Sequence, residues 1–480
     1  MNKINQYTKE LLFTALAVAG LSLTSCKDQP DAYKVADGTP SINYVRCLST
    51  EITSTRDAED MHYTVGELVE SASPQNTLCL VGENLRSVYE LYFNDQKAVL
   101  NTSYITDNTL IVDVPKSVPK EVTDKIYMVT RDGQTVDYDF TIDIPAPNIS
   151  EMSCEYAAIG DKVTFIGDYF VDYEDTPLEV FFTAANGDLI PAEISSISDD
   201  YTSVEVTIPD GAAQGPIVMT STYGSSTSAF YYLDDRGMMF DFDGKTGLGP
   251  HGWHERPILS DGGISGNYMQ FGEDSDKGVL TEGGDWNDDA FWFCYWPGTW
   301  DTPLTYPAGC VRLHDIVDFS KPENLTLKFE MYIPSSNPWS AGAMQIIFTP
   351  VSYVTYWEQD KTGTDSYGDD IYGSNNAYVH DTEDWEGHAY FKEKETIPRA
   401  LYRPWSTEKS QSFDTGGKWI TVSIPIASSF VYASDGSGLS FNLQEKDFAG
   451  LTIFVWSGGV KGKECKPIIK IDNIRVVSNK

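Results

Sequence analysis

The sequence predicts an all-β chain, with two β-sandwiches of about 100 residues each followed by a larger, jelly-roll-like β-sandwich. Three observations carry that reading. Apolar residues alternate with period two in short runs along the whole chain, several of them closed by proline, and no amphipathic helix of useful length breaks the pattern between Thr39 and Asp235. From Met238 the composition changes to long Gly-, Asp- and aromatic-rich loops between well-patterned strands. At 480 residues the chain exceeds one ordinary core, and about three domains are expected.

Residues 1–25 read as a lipoprotein signal peptide. Lys3 and Lys9 precede an apolar run from Leu11 to Leu23 that is short for a membrane span and meets Leu23-Thr24-Ser25-Cys26. That ending resembles a bacterial lipobox, which implies acylation of Cys26 and attachment to a membrane through lipid rather than a helix. Residues 26–38 are polar and turn-rich, as a flexible tether would be, and Lys27-Asp28 resembles the export signal of Bacteroidetes-type surface lipoproteins.

Residues 39–145 and 146–235 are expected to be two copies of one module. Leu110, Val112 and Val114 alternate into Pro115; Val136, Tyr138, Phe140, Ile142 and Ile144 into Pro145; Val204, Val206 and Ile208 into Pro209. Pro40-Ser41-Ile42 recurs as Pro147-Asn148-Ile149, and Leu80-Val81-Gly82-Glu83-Asn84-Leu85 as Phe165-Ile166-Gly167-Asp168-Tyr169-Phe170. The glycine suits a tight or bulged strand end, and the proline stops a strand from extending. This pattern resembles the IPT/TIG immunoglobulin-like domain and implies tandem Ig-like sandwiches. Lacking tryptophan and any catalytic constellation, the pair reads as a spacer.

Asp234-Asp235-Arg236-Gly237 reads as a short charged hinge into a last domain, 236–480. There Leu325, Leu327, Phe329, Met331 and Ile333 alternate, as do Met344, Ile346 and Phe348, then Ile420, Val422, Ile424 and Ile426, then Leu451, Ile453 and Val455. The chain closes on the paired-strand sequence from Ile468 to Val477.

All 11 tryptophans lie at Trp253 or later, whereas the tyrosines divide 16 before that point and 12 after it. Three fall in the ten residues from Phe291 to Trp300. A half that concentrates indoles has a use for flat apolar surfaces, and stacking of sugar C–H groups on indole faces needs no charge on the ligand. Trp419 and Trp456 sit within strand patterns and are expected in the core. Trp296, Trp300, Trp339, Trp385 and Trp405 lie beside Pro, Gly or charged residues and are the expected glycan platform, with Tyr402 and Arg403 as hydroxyl and guanidinium donors. On that reading, Trp339→Ala or Trp405→Ala abolishes glycan retention while the fold survives.

Charge narrows the partners. Acidic residues outnumber basic ones 71 to 34, a formal charge of −37 that repels nucleic acid and other polyanions but not a neutral polysaccharide. Besides Cys26, six cysteines (Cys47, Cys79, Cys154, Cys294, Cys310, Cys465) show no metal spacing; most are expected as buried small residues, and Cys294 and Cys310 could bridge a loop. No metal or cofactor is expected. His251 and His254 flank Trp253 without a third ligand motif. A glycosidase would need only two carboxylates, and Asp285, Asp288, Asp289, Asp369, Asp370, Glu383 and Glu386 are so abundant that they signal nothing by themselves. Catalysis and protein-binding adhesion stand as the rival readings.

The layout of lipobox, tandem Ig-like modules and a last domain containing KFEMYIP, PWSAG, LYRPW and GGKWITVSIPI is similar to the surface glycan-binding proteins of Bacteroidetes-type polysaccharide-utilisation loci, with a last domain of the xyloglucan-binding type. The resemblance implies a non-catalytic cell-surface lipoprotein of the outer membrane that captures a neutral plant-type β-glycan, xyloglucan or another β-glucan, beside a TonB-dependent transporter and a SusD-like protein. Trp339, Tyr402 and Trp405 match its platform positions, with Trp385 or Trp357 as a stand-in for one of the second pair, Tyr402 and Trp405.

Overall fold

The computed structural model describes residues 36–48, 65–246, 248–249, 256–284, 288–295, 313–350, 361–364, 370–372, 399–405, 412–430, 448–456 and 462–479. The chain forms two compact units, Met1–Ala146 and Pro147–Lys480. The signal peptide, Cys26 and the tether up to residue 35 lie outside the described residues.

The first unit contains β1 (Ser41–Cys47), β2 (Glu67–Val69), β3 (Ser71–Ala72), β4 (Thr77–Glu83), β5 (Val88–Phe93), β6 (Gln96–Lys97), β7 (Thr109–Asp113), β8 (Lys125–Thr130), β9 (Thr135–Asp139) and β10 (Thr141–Ile142). They form antiparallel sheets in the orders β2-β1-β4-β7 and β6-β5-β8-β9, with β3 and β10 as a short parallel pair. The predicted alternation points inward: Leu110, Val112, Val114, Phe140, Ile142 and Ile144 are buried, while Val136 and Tyr138 are half-buried.

The second unit begins with β11 (Asn148–Met152), β12 (Lys162–Asp168), β13 (Glu179–Thr183), β14 (Leu189–Pro191), β15 (Glu193–Ile197), β16 (Ser203–Thr207), β17 (Gly215–Ser221) and β18 (Gly224–Tyr232). Their sheets, β11-β12-β16-β15 and β14-β13-β17-β18, enclose Phe165, Phe182, Val204, Val206 and Ile208. The repeat read from sequence has a geometric cause. Ile42 pairs with Gly82 and Ile149 with Gly167, and each first strand bulges immediately afterwards. A Cβ on either glycine would stand 1.8 Å from a backbone oxygen, Ser41 O in one copy and Asn148 O in the other. Two residues later Asn84 and Tyr169 both adopt positive φ, 55° and 62°.

The C-terminal sandwich comprises β19 (Met238–Phe240), β20 (Ile258–Leu259), β21 (Tyr268–Phe271), β22 (Trp292–Tyr295), β23 (Leu325–Tyr332), β24 (Ala343–Pro350), β25 (Lys361–Thr364), β26 (Asp370–Tyr372), β27 (Ala400–Tyr402), β28 (Ile420–Pro425), β29 (Phe448–Trp456) and β30 (Ile469–Ser478). One sheet runs β20-β21-β30-β23-β28 with β19 also on β30, and the other runs β22-β29-β24-β27, while β25 and β26 pair separately. Between the two large sheets lie Leu327, Phe329 and Met331 from β23, Met344, Ile346 and Phe348 from β24, and Leu451, Ile453 and Val455 from β29. The period-two pattern therefore marks the inner faces correctly.

The outward face of the β23-containing sheet is not solvated, because the preceding sandwich docks on it. Lys328, Glu330 and Arg475 point out of the sheet and are buried together with Glu155. Lys328 Nζ and Arg475 each donate to the Glu155 carboxylate, the latter at 2.7 Å. Arg475 also donates to both Glu330 oxygens, at 2.8 and 3.0 Å. Thr421 Oγ1 donates to Glu330 at 3.0 Å and accepts from the Glu155 amide at 2.7 Å, and Thr421 N donates to Ser153 O at 2.9 Å. Two carboxylates and two cations thus leave water with their charges cancelled. Burial pushes the Glu330 carboxyl upward, and Arg475 opposes that rise.

The expected hinge is instead a fixed joint. Asp234 is fully buried and accepts from Arg236 at 2.8 and 2.7 Å, and the Arg236 guanidinium lies 3.8 Å over the Tyr231 ring. Tyr156 donates to Asp234 O at 2.8 Å. Gly237 has φ +59°, and a Cβ there would stand 1.9 Å from Val476 O. Charge in a short linker signals solvation only where no neighbour supplies its partners, and here the neighbours do. Arg475→Met leaves Glu155 and Glu330 underpaired in a dry seam, so urea unfolding should show a loss of ~3–5 kcal/mol.

Candidate functional site

With one outer face committed to docking, the other belongs to β22-β29-β24-β27. Its residues follow from strand parity: Trp292 on β22, Phe454 and Trp456 on β29, Ala343, Gln345 and Ile347 on β24, and Leu401 on β27 all alternate with core residues. Register aligns them in rows. Trp292 pairs with Phe454, Phe454 with Gln345, and Gln345 with Leu401, so four strands contribute one continuous rung. The Trp292 and Phe454 rings are 5.6 Å apart at 42°. Both are buried, whereas Leu401 at the β27 edge is 43% exposed.

The next rung is accessible at its ends, Trp456 and Arg403, while Ala343 between them is buried. Ala343 pairs with Trp456, and one residue beyond the Met344–Tyr402 pair Arg403 comes level with Ala343. Trp456 is half-buried and Arg403 exposed, with the smallest chiral side chain between them. On the neighbouring rung of the same face Gln345 is fully buried, and its amide nitrogen and oxygen both lack a hydrogen-bond partner among the described residues. Leaving such a group unpaired costs on the order of 1–3 kcal/mol.

The platform expected from sequence is only partly what the fold presents. Trp339 and Trp405 are 0% and 3% exposed and belong to the core. Their indole N–H groups donate to backbone oxygens of one loop, Trp339 to Ala341 at 2.6 Å and Trp405 to Gly342 at 2.7 Å. Proline and glycine beside these tryptophans mark a loop that folds back over them rather than one that presents them. Gly342 is required there by its φ of +70°. Tyr402 also turns inward, 6.3 Å from Trp339 and 6.4 Å from Phe329, and burial pushes its hydroxyl up to about 12. Arg403 remains outside, its guanidinium 4.8 Å over the Trp405 ring, so the buried indole serves as the bed on which Arg403 lies. Trp296, Trp300, Trp357 and Trp385 lie outside the described residues, as do Cys310, His251, His254, Asp285, Asp369, Glu383 and Glu386, and the side chains of Asp288, Asp289 and Asp370 are not described.

Three residues were missed or misread from sequence. Trp456 was expected in the core, yet its parity matches Phe454 and opposes Val455. Trp419 was expected there too, but is half-buried at the seam with the preceding sandwich. Gln345 had a signal, a lone amide in the apolar run from Ala343 to Phe348. Cys294 is a buried thiol 3.7 Å from Thr452 Oγ1, and its expected pairing with Cys310 lies outside the described residues. No cluster of metal-ligating side chains occurs among the described residues.

This fold, an all-β sandwich preceded by Ig-like sandwiches, is shared by the class of carbohydrate-binding surface proteins. Residues 232–478 match the family model described as the surface glycan-binding protein B xyloglucan binding domain. The crystal structure of surface glycan-binding protein PbSGBP-B from Prevotella bryantii is 41% identical, with 93% of this chain and 100% of that one aligned at a TM-score of 0.66. An IPT/TIG domain-containing protein from Bacteroides ovatus is 26% identical over 239 residues, which span 47% of this chain and 45% of that relative. The chain therefore belongs to the surface glycan-binding protein B family.

Because Trp339 is a core strut, Trp339→Ala should lower unfolding stability by ~3–5 kcal/mol in urea, in contrast to a surface indole. Trp456→Ala, which empties no sealed cavity, should cost less than half as much in the same titration.

Proposed function

We propose that this chain is a non-catalytic cell-surface lipoprotein that captures a neutral plant-type β-glycan, xyloglucan or another β-glucan, on the free face of its C-terminal sandwich. The observation that carries the reading is the half-buried Trp456 and the exposed Arg403 at the two ends of one rung, within a domain matched by a xyloglucan-binding family model. A sugar chain at this part of the face would meet the indole and the guanidinium donors. Trp296, Trp300 and Trp385 are retained as further platform residues, and Tyr402 acts through its packing against Trp339 and Phe329.

Nothing in this arrangement needs a charged ligand, which suits a chain of −37. Each ring contact is small and ordering a flexible polymer opposes it, so single-site affinity is modest and surface density supplies avidity. Acylated Cys26 would hold the protein at the outer membrane, and residues 26–235 would carry the binding domain outward, beside a TonB-dependent transporter and a SusD-like protein that take up the captured polymer.

Affinity electrophoresis in gels containing xyloglucan, mixed-linkage β-glucan, xylan or mannan tests the ligand. Arg403→Ala and Trp456→Ala should each reduce retardation ~10-fold or more, in line with the loss of ~1.4 kcal/mol or more; unchanged retardation in both removes the site. Sustained reducing-sugar release from any of these polymers would overturn the non-catalytic reading. Cys26→Ala should move the protein from the membrane fraction to the soluble one, and membrane retention by that variant would exclude the lipid anchor.

A further inference from the structure

The seam between the second Ig-like sandwich and the C-terminal sandwich forms a half-open pocket of about 570 Å³. Its C-terminal wall is Trp419, Lys418 and Ile264, and its other wall is Lys162, Thr164 and Glu205. That volume lies within the range of small-molecule sites, roughly 300–1,000 Å³. It is remote in the fold from the Trp456 rung, because it opens on the docked face of the sandwich rather than on the free one.

Trp419 is held in place before any ligand arrives. Its ring lies 5.6 Å from Tyr332 and 6.0 Å from Tyr268, and Lys470 Nζ sits 5.3 and 4.5 Å over those two tyrosines, locking them from behind. The walls are fixed as well, since the hydrogen bonds of Thr421 to Ser153 and Glu155 tie the two sandwiches together at the cavity floor. Although the chain carries −37, the charged lining cancels: Lys162 and Lys418 against Asp161 and Glu205. Lys162 and Glu205 pair at 2.8 Å with both side chains accessible, offering a donor and an acceptor opposite the indole.

A half-buried indole, a neutral balance of donors and acceptors, and a cavity preformed by its own framework together describe a saccharide subsite. We infer that this seam is a second glycan-binding site, taking a short segment of neutral oligosaccharide stacked on Trp419 and hydrogen-bonded by Lys162, Glu205 and Lys418. The inference rests on the glycan-capture reading above, but on different residues. Two sites on one rigid unit would let a single molecule hold a polymer at two points, strengthening retention without strengthening either contact.

Isothermal titration of the full chain with cellohexaose and with a xyloglucan-derived oligosaccharide counts the sites. Wild type should take two molecules of at least one probe, and Trp419→Ala and Thr164→Trp should each take one. Thr164→Trp fills the cavity from the opposite wall and leaves the aromatic cluster intact, so the test stands if Trp419→Ala fails to fold. Arg403→Ala should keep the seam site and lose the other, and polysaccharide retention in each single-site variant should fall ~10-fold or more. One molecule per wild-type chain, lost in Arg403→Ala but unaffected by Thr164→Trp, overturns the seam site and leaves the capture reading standing. Two molecules retained by both seam variants also overturns it, and no binding of either probe overturns both readings.

Discussion

The buried quartet of Glu155, Lys328, Glu330 and Arg475 decides how this molecule uses its surfaces. A β-sandwich has two outward faces, and a domain that binds must keep one open while another can be used for anchorage. Here the division is enforced electrostatically. Lys328, Glu330 and Arg475 on the β23–β30 side leave water in the company of Glu155 from the preceding sandwich, which docks there. The outward face of β22, β29, β24 and β27 carries indole, phenyl and amide groups instead, buried over most of its area and accessible at Trp456, Leu401 and Arg403.

The tryptophans divide between two duties that composition alone does not separate. Trp339 and Trp405 close the core at the end of β24, each tied by its indole N–H to adjacent carbonyls of the Ala341-Gly342 loop. Trp456 and Trp419 keep part of their rings accessible at positions braced by sheet register or by neighbouring rings. Trp405 also positions an outward side chain, since the Arg403 guanidinium lies over its ring. A buried indole and an exposed guanidinium can thus belong to one local sequence, Leu401 to Trp405.

Much of the fold was legible because period two reports which face is dry. The inner residues of β23, β24 and β29 and the strands ending at Pro115 and Pro209 obey it, and the Gly82/Gly167 repeat marked the same bulge twice. Outward residues were not legible in the same way. Lys328 and Glu330 look like the solvated half of an amphipathic strand, and only the docking of a domain about 170 residues away in sequence shows otherwise. The same limit applies to Asp234 to Gly237, whose charges read as a hinge but find partners in three dimensions. Proline and glycine beside an indole say that it is near a loop, not which side of the loop it faces. The burial of Trp339 and the accessibility of Trp456 depend on that missing information.

The close passage of Gly237 beneath Val476 has a mechanical corollary. The chain enters the C-terminal sandwich alongside β30, the strand on which it leaves, so the first and last strands of the domain are neighbours. A pull on the C-terminal sandwich would therefore load this one strand, and from β30 it would pass through Arg475 into Glu155 and the sandwich behind it rather than bending the four-residue joint.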